Sequence, residues 1–249
     1  MSGEQPQNPL DNSFLSLKPL QGKIWLMTMR VKAFSLSFIE AINRALDYLD
    51  AQTGEIGLIT ASAHPTIYSA GIDFEQFSHG ITYTESFLIH FQKMLARFLA
   101  LSYPTVAAIN GHCYAGGLMF AMVHDFRVQR KDMGNTCLSE INMGMPLPKG
   151  MMQFMESKLS YTTSMKLMLF GANFTPKDNL ESNVVDKLVD TGSILEEAAK
   201  LIEPLVEKSS ARESFATIKQ HLNRKGIDAA LQLHTPPLHL LPGGNRQKL

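Results

Sequence analysis

The sequence lacks a charge bias and a long apolar run. Its 249 residues carry 23 basic and 23 acidic side chains, so the formal net charge is zero. A balanced chain has no overall electrostatic attraction to nucleic acid or to a membrane surface, and neither partner is expected. No apolar run reaches the ~20 residues that span a bilayer. With 45% hydrophobic and 18% charged residues, the composition is that of an ordinary globular domain.

Cysteine is equally scarce. Cys113 and Cys137 are the only two, which is too few for a disulfide framework and favours a reducing compartment. Free cysteines are most often inert core residues. The sequence has no CxxC motif and no Cys/His cluster, so no metal site is expected.

The two ends of the chain carry weak signals. Residues 1–12 are polar, with no basic residue, which predicts a disordered arm rather than a signal or transit peptide. The last three residues, Gln247-Lys248-Leu249, resemble a peroxisomal address of the Ser-Lys-Leu type, with glutamine in place of the small residue. We therefore expect a peroxisomal location, with a cytoplasmic one as the alternative.

Alternating strand and helix patterns predict an α/β fold. Apolar segments on both sides of Gln21-Gly22 favour a hairpin, and short apolar runs at 56–61 and 105–109 favour buried strands. A further strand is predicted at 125–129, and the repeated strand–turn–helix order favours several parallel strands. Helical spacing follows Ser35, recurs at 84–101 and begins again near Gly116. Later segments are mostly helical: 161–170, 176–182, 194–207, 210–223 and 227–233. We predict a mixed core over 13–190 and a helical C-terminal region over 191–249.

Two glycine-bearing turns are candidate sites. Residues 69–73 (Ser-Ala-Gly-Ile-Asp) follow a predicted strand, and residues 110–117 (Asn-Gly-His-Cys-Tyr-Ala-Gly-Gly) open an apolar helix. Glycine leaves backbone N–H groups uncovered, and a helix N-terminus supplies free donors. Two such turns that face one point would form an oxyanion hole. Close helix–strand packing is the alternative explanation, and neither turn is a Rossmann or P-loop signature.

The order of the motifs is more specific than any one of them. Ser-Ala-Gly-x-Asp, Pro-Thr-Val-Ala-Ala-Ile-Asn-Gly, Ala-Gly-Gly, Asp125 and Ser-Glu-Ile-Asn-Met-Gly-Met-Pro follow in that order. This set resembles the crotonase (enoyl-CoA hydratase/isomerase) superfamily, over residues 14–190 and most strongly over 67–148. The resemblance implies a spiral of ββα units with a helical C-terminal region that builds homotrimers or hexamers. It also implies an acyl-CoA thioester substrate and no separate cofactor, since coenzyme A is part of the substrate.

The resemblance also assigns site residues. The backbone N–H groups of Ile72 and Gly116 are expected to hold the thioester oxygen. Substrate contacts are expected from other residues of these motifs: Ser69, Ala70, Gly71, Asp73, Gly117 and Ser139. Asp73 is also explained as the N-cap of a following short helix. Arg30 and Lys32 either meet the CoA phosphates or lie in a solvated turn.

The acidic residues separate the reactions of the family. Its hydratases carry two glutamates, and here Glu140 matches one position whereas Met119 occupies the other. Hydration needs a positioned water and proton transfer at two sites, and a methionine cannot activate water. Moving a double bond from C3 to C2 needs only one carboxylate that takes a proton from C2 and returns it to C4. Glu140 is therefore predicted to be the proton carrier of a Δ3,Δ2-enoyl-CoA isomerase of fatty-acid β-oxidation.

Three alternatives stay open. The first is another branch of isomerases, which places its acid where this chain has Lys149-Gly150. The segment from Ser139 to Pro148 looks instead like the plant-type and mitochondrial isomerases. A hydratase, or a different crotonase-type acyl-CoA enzyme, is the second reading. A non-catalytic acyl-CoA-binding homologue is the third, because residues 29–34 lack the family's usual asparagine-containing turn.

Other residues have simpler explanations. His112 and His124 are expected to be structural, since no serine or cysteine partner motif accompanies them. The methionines between 143 and 155 would suit an adaptable acyl pocket, although ordinary core filling is the favoured interpretation.

Overall fold

The computed structural model describes residues 10–232. Helices and strands alternate along this part of the chain, so the predicted α/β class is confirmed. The strands are β1 (Leu15–Gln21), β2 (Ile24–Met29), β3 (Ala33–Phe34), β4 (Gly57–Ser62), β5 (Ile67–Ser69), β6 (Gly71–Ile72), β7 (Thr105–Ile109), β8 (His112–Tyr114), β9 (Phe126–Arg130), β10 (Thr136–Cys137) and β11 (Lys187–Val189). The α-helices are α1 (Leu36–Asp50), α2 (Ile81–Leu99), α3 (Gly116–Met122), α4 (Lys149–Lys158), α5 (Tyr161–Ser164), α6 (Pro176–Glu181), α7 (Ile194–Val206), α8 (Arg212–Leu222) and α9 (Arg224–Leu231).

The main sheet has six strands in the order β1-β2-β4-β7-β9-β11. β1 and β2 form the predicted antiparallel hairpin, and the pairs from β2 to β11 are parallel. Every residue of β4 and β7 is buried, as expected for parallel strands covered on both faces. The carboxyl ends of these strands lead into the two glycine turns.

Helix α1 shows why this sequence forms a helix here. Ser35 is its N-cap, and its Oγ accepts a hydrogen bond from Phe38 N at 3.3 Å. The predicted apolar face is buried and packs in the main core, with Phe38, Ile42, Ala45, Leu46 and Leu49. The helix thus covers one side of the sheet that carries the turns.

Two small sheets bring the turns together. β10, β8 and β5 form a parallel sheet of three short strands, and β3 pairs with β6. β5 and β6 belong to the first turn, and β8 belongs to the second. The short strands therefore fix the position of one turn against the other.

The C-terminal helices share the packing of the core. Ile202 and Val206 of α7 lie against an apolar face of the sheet that includes Ile59, Val106 and Val128. At the other end, Leu10 is 7% exposed and its carbonyl accepts from Leu17 N at 3.0 Å. Residues 10–12 thus pack on the domain, while the rest of the predicted arm lies outside the described residues.

The described chain offers neither a helix long and apolar enough to cross a membrane nor a group of three or more side chains suited to bind a metal ion. The tripeptide 247–249 lies outside the described residues.

Candidate active site

An apolar pocket lies between the two glycine turns, helix α3 and the start of helix α4. Its volume is ≈ 110 Å³. Glu140 is the only ionisable side chain among its lining residues, which are Ala70, Ile72, Phe74, Phe77, Leu88, Ala115, Gly116, Met119, Ser139, Glu140, Met143, Met145, Pro146, Leu147, Pro148 and Met151. Such a site suits an apolar ligand with one polar reaction centre.

The two turns face each other across this pocket. A Cβ added to Gly116 would lie 3.4 Å from the amide nitrogen of Ile72, and a Cβ added to Gly71 would lie 3.1 Å from the amide nitrogen of Gly116. Gly71 also has a φ of +96°, a conformation that L-residues rarely adopt. Gly71 is therefore needed for the close approach of the two turns, and Gly116 lies directly against the first turn.

The backbone at Ala115 directs the second amide. Ala115 has φ 50° and ψ −126°, a sparsely populated region for a residue with a side chain, which costs about 1–3 kcal/mol. Gly116 follows as the first residue of α3, where backbone N–H groups have no acceptor within the helix. The strained residue therefore lies directly before the first residue of α3, which lines the pocket.

The direction of the first amide follows from strand pairing. Asp73 N donates to Phe34 O at 3.0 Å, across from β6 to β3. Successive amides of an extended strand point in opposite directions, so the N–H of Ile72 points away from β3. A Cβ added to Gly116 would contact the amide nitrogen of Ile72, so the second turn adjoins the first at this amide.

Among residues 10–232, Glu140 supplies the only carboxylate that lines the pocket. It precedes a short 3₁₀ turn, Ile141–Met143, and its backbone carbonyl accepts hydrogen bonds from Met143 N and Met145 N at 3.0 and 2.9 Å. Its Oε2 is buried and has no hydrogen-bond partner in the described chain. Burial raises the pKa of Glu140 to about 7, against a small opposing effect of its own backbone N–H. A carboxylate in this state exchanges a proton readily near neutral pH.

Met119 belongs to α3, lines the pocket and is 1% exposed to solvent. Its thioether can neither donate a proton nor hold a water in place of a carboxylate. The pocket therefore has one acid where the resemblance describes two in hydratases.

The remaining predicted site residues fall into two groups. Ala70 and Ser139 line the pocket together with Ile72, Gly116 and Glu140. The others lie outside its lining and shape the turns: Ser69, Gly71, Asp73 and Gly117. Ser69 Oγ donates to Lys32 O and accepts from Gly71 N, both at 3.2 Å.

Asp73 and Gly117 have local structural roles. Asp73 Oδ1 accepts from Glu75 N at 3.1 Å and caps the 3₁₀ turn Phe74–Phe77, as its alternative reading predicted. A Cβ on Gly117 would lie 2.6 Å from the Ser69 Cβ, so Gly117 permits the close contact between α3 and the first turn.

The two candidate phosphate ligands differ. Arg30 pairs with Asp11 at 2.5 Å and donates to the backbone carbonyl of Asn12, so its charge is already compensated. Lys32 is exposed and forms no salt bridge within residues 10–232, and it lies next to Ala70, whose amide donates to Lys32 O at 2.7 Å.

Both histidines are held by internal hydrogen bonds. His124 is fully buried between Thr60 Oγ1 at 2.9 Å and Phe120 O at 2.8 Å. Burial lowers the pKa of His124 to about 3. The ring of His112 contacts the Tyr114 hydroxyl at 2.7 Å. Neither histidine lines the pocket.

Sequence reasoning missed part of the apolar wall. Phe74, Phe77 and Leu88 come from the 3₁₀ turn and from α2, and no motif marks them. Met143, Met145 and Met151 also line the pocket, although core filling was the favoured reading of these methionines. Met155 does belong to the core, with 0% exposure.

Known proteins share both the sequence and the fold. The family model for enoyl-CoA hydratase/isomerase matches residues 20–235. Enoyl-CoA delta isomerase 3 of Arabidopsis thaliana is 28% identical over 212 residues, 81% of this chain and 89% of that protein. The peroxisomal enoyl-CoA delta isomerase 2 of the same plant is 24% identical over 214 residues, with the same two shares.

A solved structure of an enoyl-CoA isomerase from Mycobacterium tuberculosis superimposes with a TM-score of 0.80 at 19% identity, covering 89% of this chain and 96% of that one. The likeness shows the crotonase fold, as the motif order predicted. Motifs, fold and family match agree: the chain belongs to the enoyl-CoA hydratase/isomerase family.

Proposed function

We propose that the protein is a Δ3,Δ2-enoyl-CoA isomerase that acts on 3-enoyl-CoA thioesters in fatty-acid β-oxidation. One observation carries the proposal. The only carboxylate of the pocket, Glu140, has a buried oxygen without a hydrogen-bond partner in the described chain. It lies in the same pocket as the facing turns at Ile72 and Gly116.

The proposed mechanism needs one carboxylate and two amides. The thioester oxygen accepts hydrogen bonds from the N–H groups of Ile72 and Gly116. Glu140 removes a proton from C2, and the electron pair of that C–H bond delocalises into the thioester to form a dienolate. The protonated Glu140 then gives the same proton to C4, the double bond comes to lie between C2 and C3, and the carboxylate is regenerated. Amides that are already oriented stabilise the developing oxyanion at no further cost in reorganisation.

The raised pKa of Glu140 supports both proton steps. A general base works best when its pKa is near the operating pH, because it is then ionised in part and still basic. Its pKa of about 7 meets that condition. The apolar wall that raises the pKa also keeps water from the dienolate.

The identity of residue 119 favours isomerisation over hydration. The hydratase reading requires a second group to position the attacking water, and the lining residues near Glu140 offer only the Ser139 hydroxyl as a further polar side chain. The non-catalytic reading leaves the strained backbone at Ala115 and the unpartnered carboxylate without a purpose.

Other parts of the proposal rest on the relatives. A homotrimer or hexamer and a peroxisomal location are proposed from the family and from the peroxisomal isomerase of Arabidopsis thaliana. Lys32 is the proposed contact for the CoA phosphates, and Arg30 is withdrawn from that role by its pairing with Asp11.

The test offers two substrates to the purified protein. With 3-enoyl-CoA, the proposal predicts the appearance of the conjugated 2-trans-enoyl-CoA. With 2-enoyl-CoA, it predicts little or no 3-hydroxyacyl-CoA. A rate of 3-hydroxyacyl-CoA formation equal to or above the isomerisation rate would establish a hydratase instead, and binding of both thioesters without turnover would establish a binding protein.

A further inference from the structure

Three buried polar side chains form a hydrogen-bonded chain between the first glycine turn and helix α3. Tyr68 belongs to β5, Thr60 belongs to β4, and His124 lies just after α3. All three are 0% exposed. The Tyr68 hydroxyl lies 2.8 Å from Thr60 Oγ1, which lies 2.9 Å from His124 Nε2. His124 Nδ1 in turn lies 2.8 Å from the carbonyl oxygen of Phe120, in α3.

The direction of every hydrogen bond in this chain is determined. A carbonyl oxygen only accepts, so the proton of the neutral imidazole is on His124 Nδ1 and Nε2 is an acceptor. The ring is neutral, because burial lowers the pKa of His124 to about 3. The Thr60 hydroxyl therefore donates to His124 Nε2, and the Tyr68 hydroxyl donates to Thr60 Oγ1. Each link depends on the next, so the three side chains have one mutual arrangement.

Both ends of the chain adjoin the candidate site. Tyr68 directly precedes Ser69, whose Oγ accepts from Gly71 N of the first glycine turn at 3.2 Å. A Cβ added to Gly117 would lie 2.6 Å from the Ser69 Cβ, so α3 begins against β5. The bond from His124 ends on α3 itself. Close packing thus holds the start of α3 against β5, and the hydrogen-bonded chain ties its last turn to the same strand.

The strained residue before α3 needs such a restraint. Ala115 has φ 50° and ψ −126°, and strain of this kind persists only where the surrounding structure holds it. Its carbonyl accepts from Met119 N at 3.2 Å, so a tilt of α3 would relax Ala115 and redirect the amide of Gly116. A buried network in which each polar group is paired makes the structure around it more rigid. The chain is placed to resist that tilt at the far end of the helix.

We propose that Tyr68, Thr60 and His124 are positioning residues that fix the direction of the Gly116 amide by holding the far end of α3. None of them lines the pocket, so they act through the helix and not on the substrate. Their effect on turnover rests on the proposed function, in which an oxyanion develops beside this amide. An interaction that strengthens only in the transition state affects kcat and leaves KM largely unchanged.

Two substitutions of Thr60 separate positioning from stability. Thr60→Val keeps the shape of the side chain and leaves His124 Nε2 without a donor, whereas Thr60→Ser keeps the hydroxyl and loses a buried methyl group. At a temperature at which both variants are folded, we expect kcat for 3-enoyl-CoA to fall ~10–10²-fold in Thr60→Val, as for a reacting group displaced by up to about 1 Å. KM should stay near the wild-type value, and Thr60→Ser should keep most of the wild-type kcat. An unchanged kcat in Thr60→Val, an equal loss in both variants or a loss confined to KM would overturn the proposal.

A double-mutant cycle tests whether the chain acts as one unit. Tyr68→Phe removes the hydroxyl at the end of the chain and keeps the ring, which stacks on Phe120 with the ring centroids 6.5 Å apart. It should lower kcat less than Thr60→Val does, because His124 keeps its donor. Combining Tyr68→Phe with Thr60→Val should cost no more than Thr60→Val alone, since the chain is already broken. Additive losses would show that the two hydroxyl groups act separately and would contradict the proposal.

A measurement without substrate distinguishes the failure of this proposal from the failure of the proposed function. The amide of Met119, bonded to Ala115 O, reports on the first turn of α3. Relative to the global stability of each variant, its hydrogen exchange should be faster in Thr60→Val than in Thr60→Ser. Equal exchange would overturn the positioning role. If wild type turns over no enoyl-CoA, the proposed function fails, and the exchange of Met119 alone decides whether the chain holds α3.

Discussion

Glu140 and Met119 line the same pocket, one with a carboxylate and the other with a thioether. The carboxylate can carry a proton, and the thioether can neither carry a proton nor activate water. The pair therefore restricts the pocket to chemistry that a single acid–base group can complete.

The pH dependence of the reaction follows from the pKa of Glu140. The base form is required to remove the C2 proton, and the pKa is raised by burial to about 7. We expect kcat/KM for 3-enoyl-CoA to be low below pH 6, to rise through about pH 7 and to level off above it. Rates measured from pH 5 to 9 check this, and a rise centred near pH 4.5 would mean that the carboxylate is solvated in the free enzyme.

Replacement of Gly71 by alanine should damage the oxyanion site. Its Cβ would lie 2.9 Å from Ala115 Cβ and 3.0 Å from Tyr114 O, and its φ of +96° is strained for alanine. We expect kcat to fall ~10²–10³-fold, the usual cost of losing one oxyanion donor. Gly54→Ala is the matched control, because Gly54 has a φ of +84° with nothing within 4 Å of the added Cβ. Equal kinetic losses in both variants would show that strain alone, and not the site, is responsible.

A second carboxylate in the pocket should add a new reaction. Met119→Glu places an acid on the α3 wall of the same pocket as Glu140, so that two carboxylates can hold and activate a water between them. We expect 3-hydroxyacyl-CoA to form from 2-enoyl-CoA at a rate above that of wild type. Met119→Leu conserves the volume and should leave both reactions unchanged. Product analysis of the folded variants decides the matter, and no hydration by Met119→Glu would count against the role assigned to residue 119.

Lys32 should contribute to binding rather than to chemistry. It is exposed and lies beside Ala70 at the pocket, so Lys32→Met should raise KM about 5-fold, as for a surface ion pair of ~1 kcal/mol, with kcat unchanged. The effect should shrink at high salt. Arg30→Met should leave KM nearly unchanged, because Arg30 is held by Asp11. A larger effect at Arg30 than at Lys32 would reverse the assignment.

The parts of the fold that local sequence determines were predicted best. The strand at 105–109 matches to the residue, since its fully buried apolar run lies between Pro104 and Asn110. The helix expected at 84–101 is Ile81–Leu99, because it begins directly after Gly80. Helix α4 was missed, since Gly150 follows two prolines near its start and weakens the helical pattern. Gly150 allows α4 to pack closely against α9, because a Cβ added to it would lie 2.4 Å from Ala230 Cα.

The site was predictable only in part, for a related reason. Glu140 and the two turns carry motifs, so their residues could be named from the resemblance. Their juxtaposition depends on strands of two or three residues, such as Gly71–Ile72 and His112–Tyr114, which have no periodicity of their own. Lys219 and Asp125 form an ion pair of 2.7 Å across 94 positions of the chain, and no local pattern joins them.

The central claim, that Glu140 carries the migrating proton, is tested most directly by the turnover of Glu140→Gln with 3-enoyl-CoA. Glutamine keeps the size of the side chain and removes its acid–base chemistry, and Glu156→Gln, an exposed neighbour on α4, is the control. We predict that kcat falls ~10²–10⁴-fold in Glu140→Gln, the usual contribution of general acid–base catalysis, and stays at the wild-type value in Glu156→Gln. Wild-type turnover by Glu140→Gln would contradict the account.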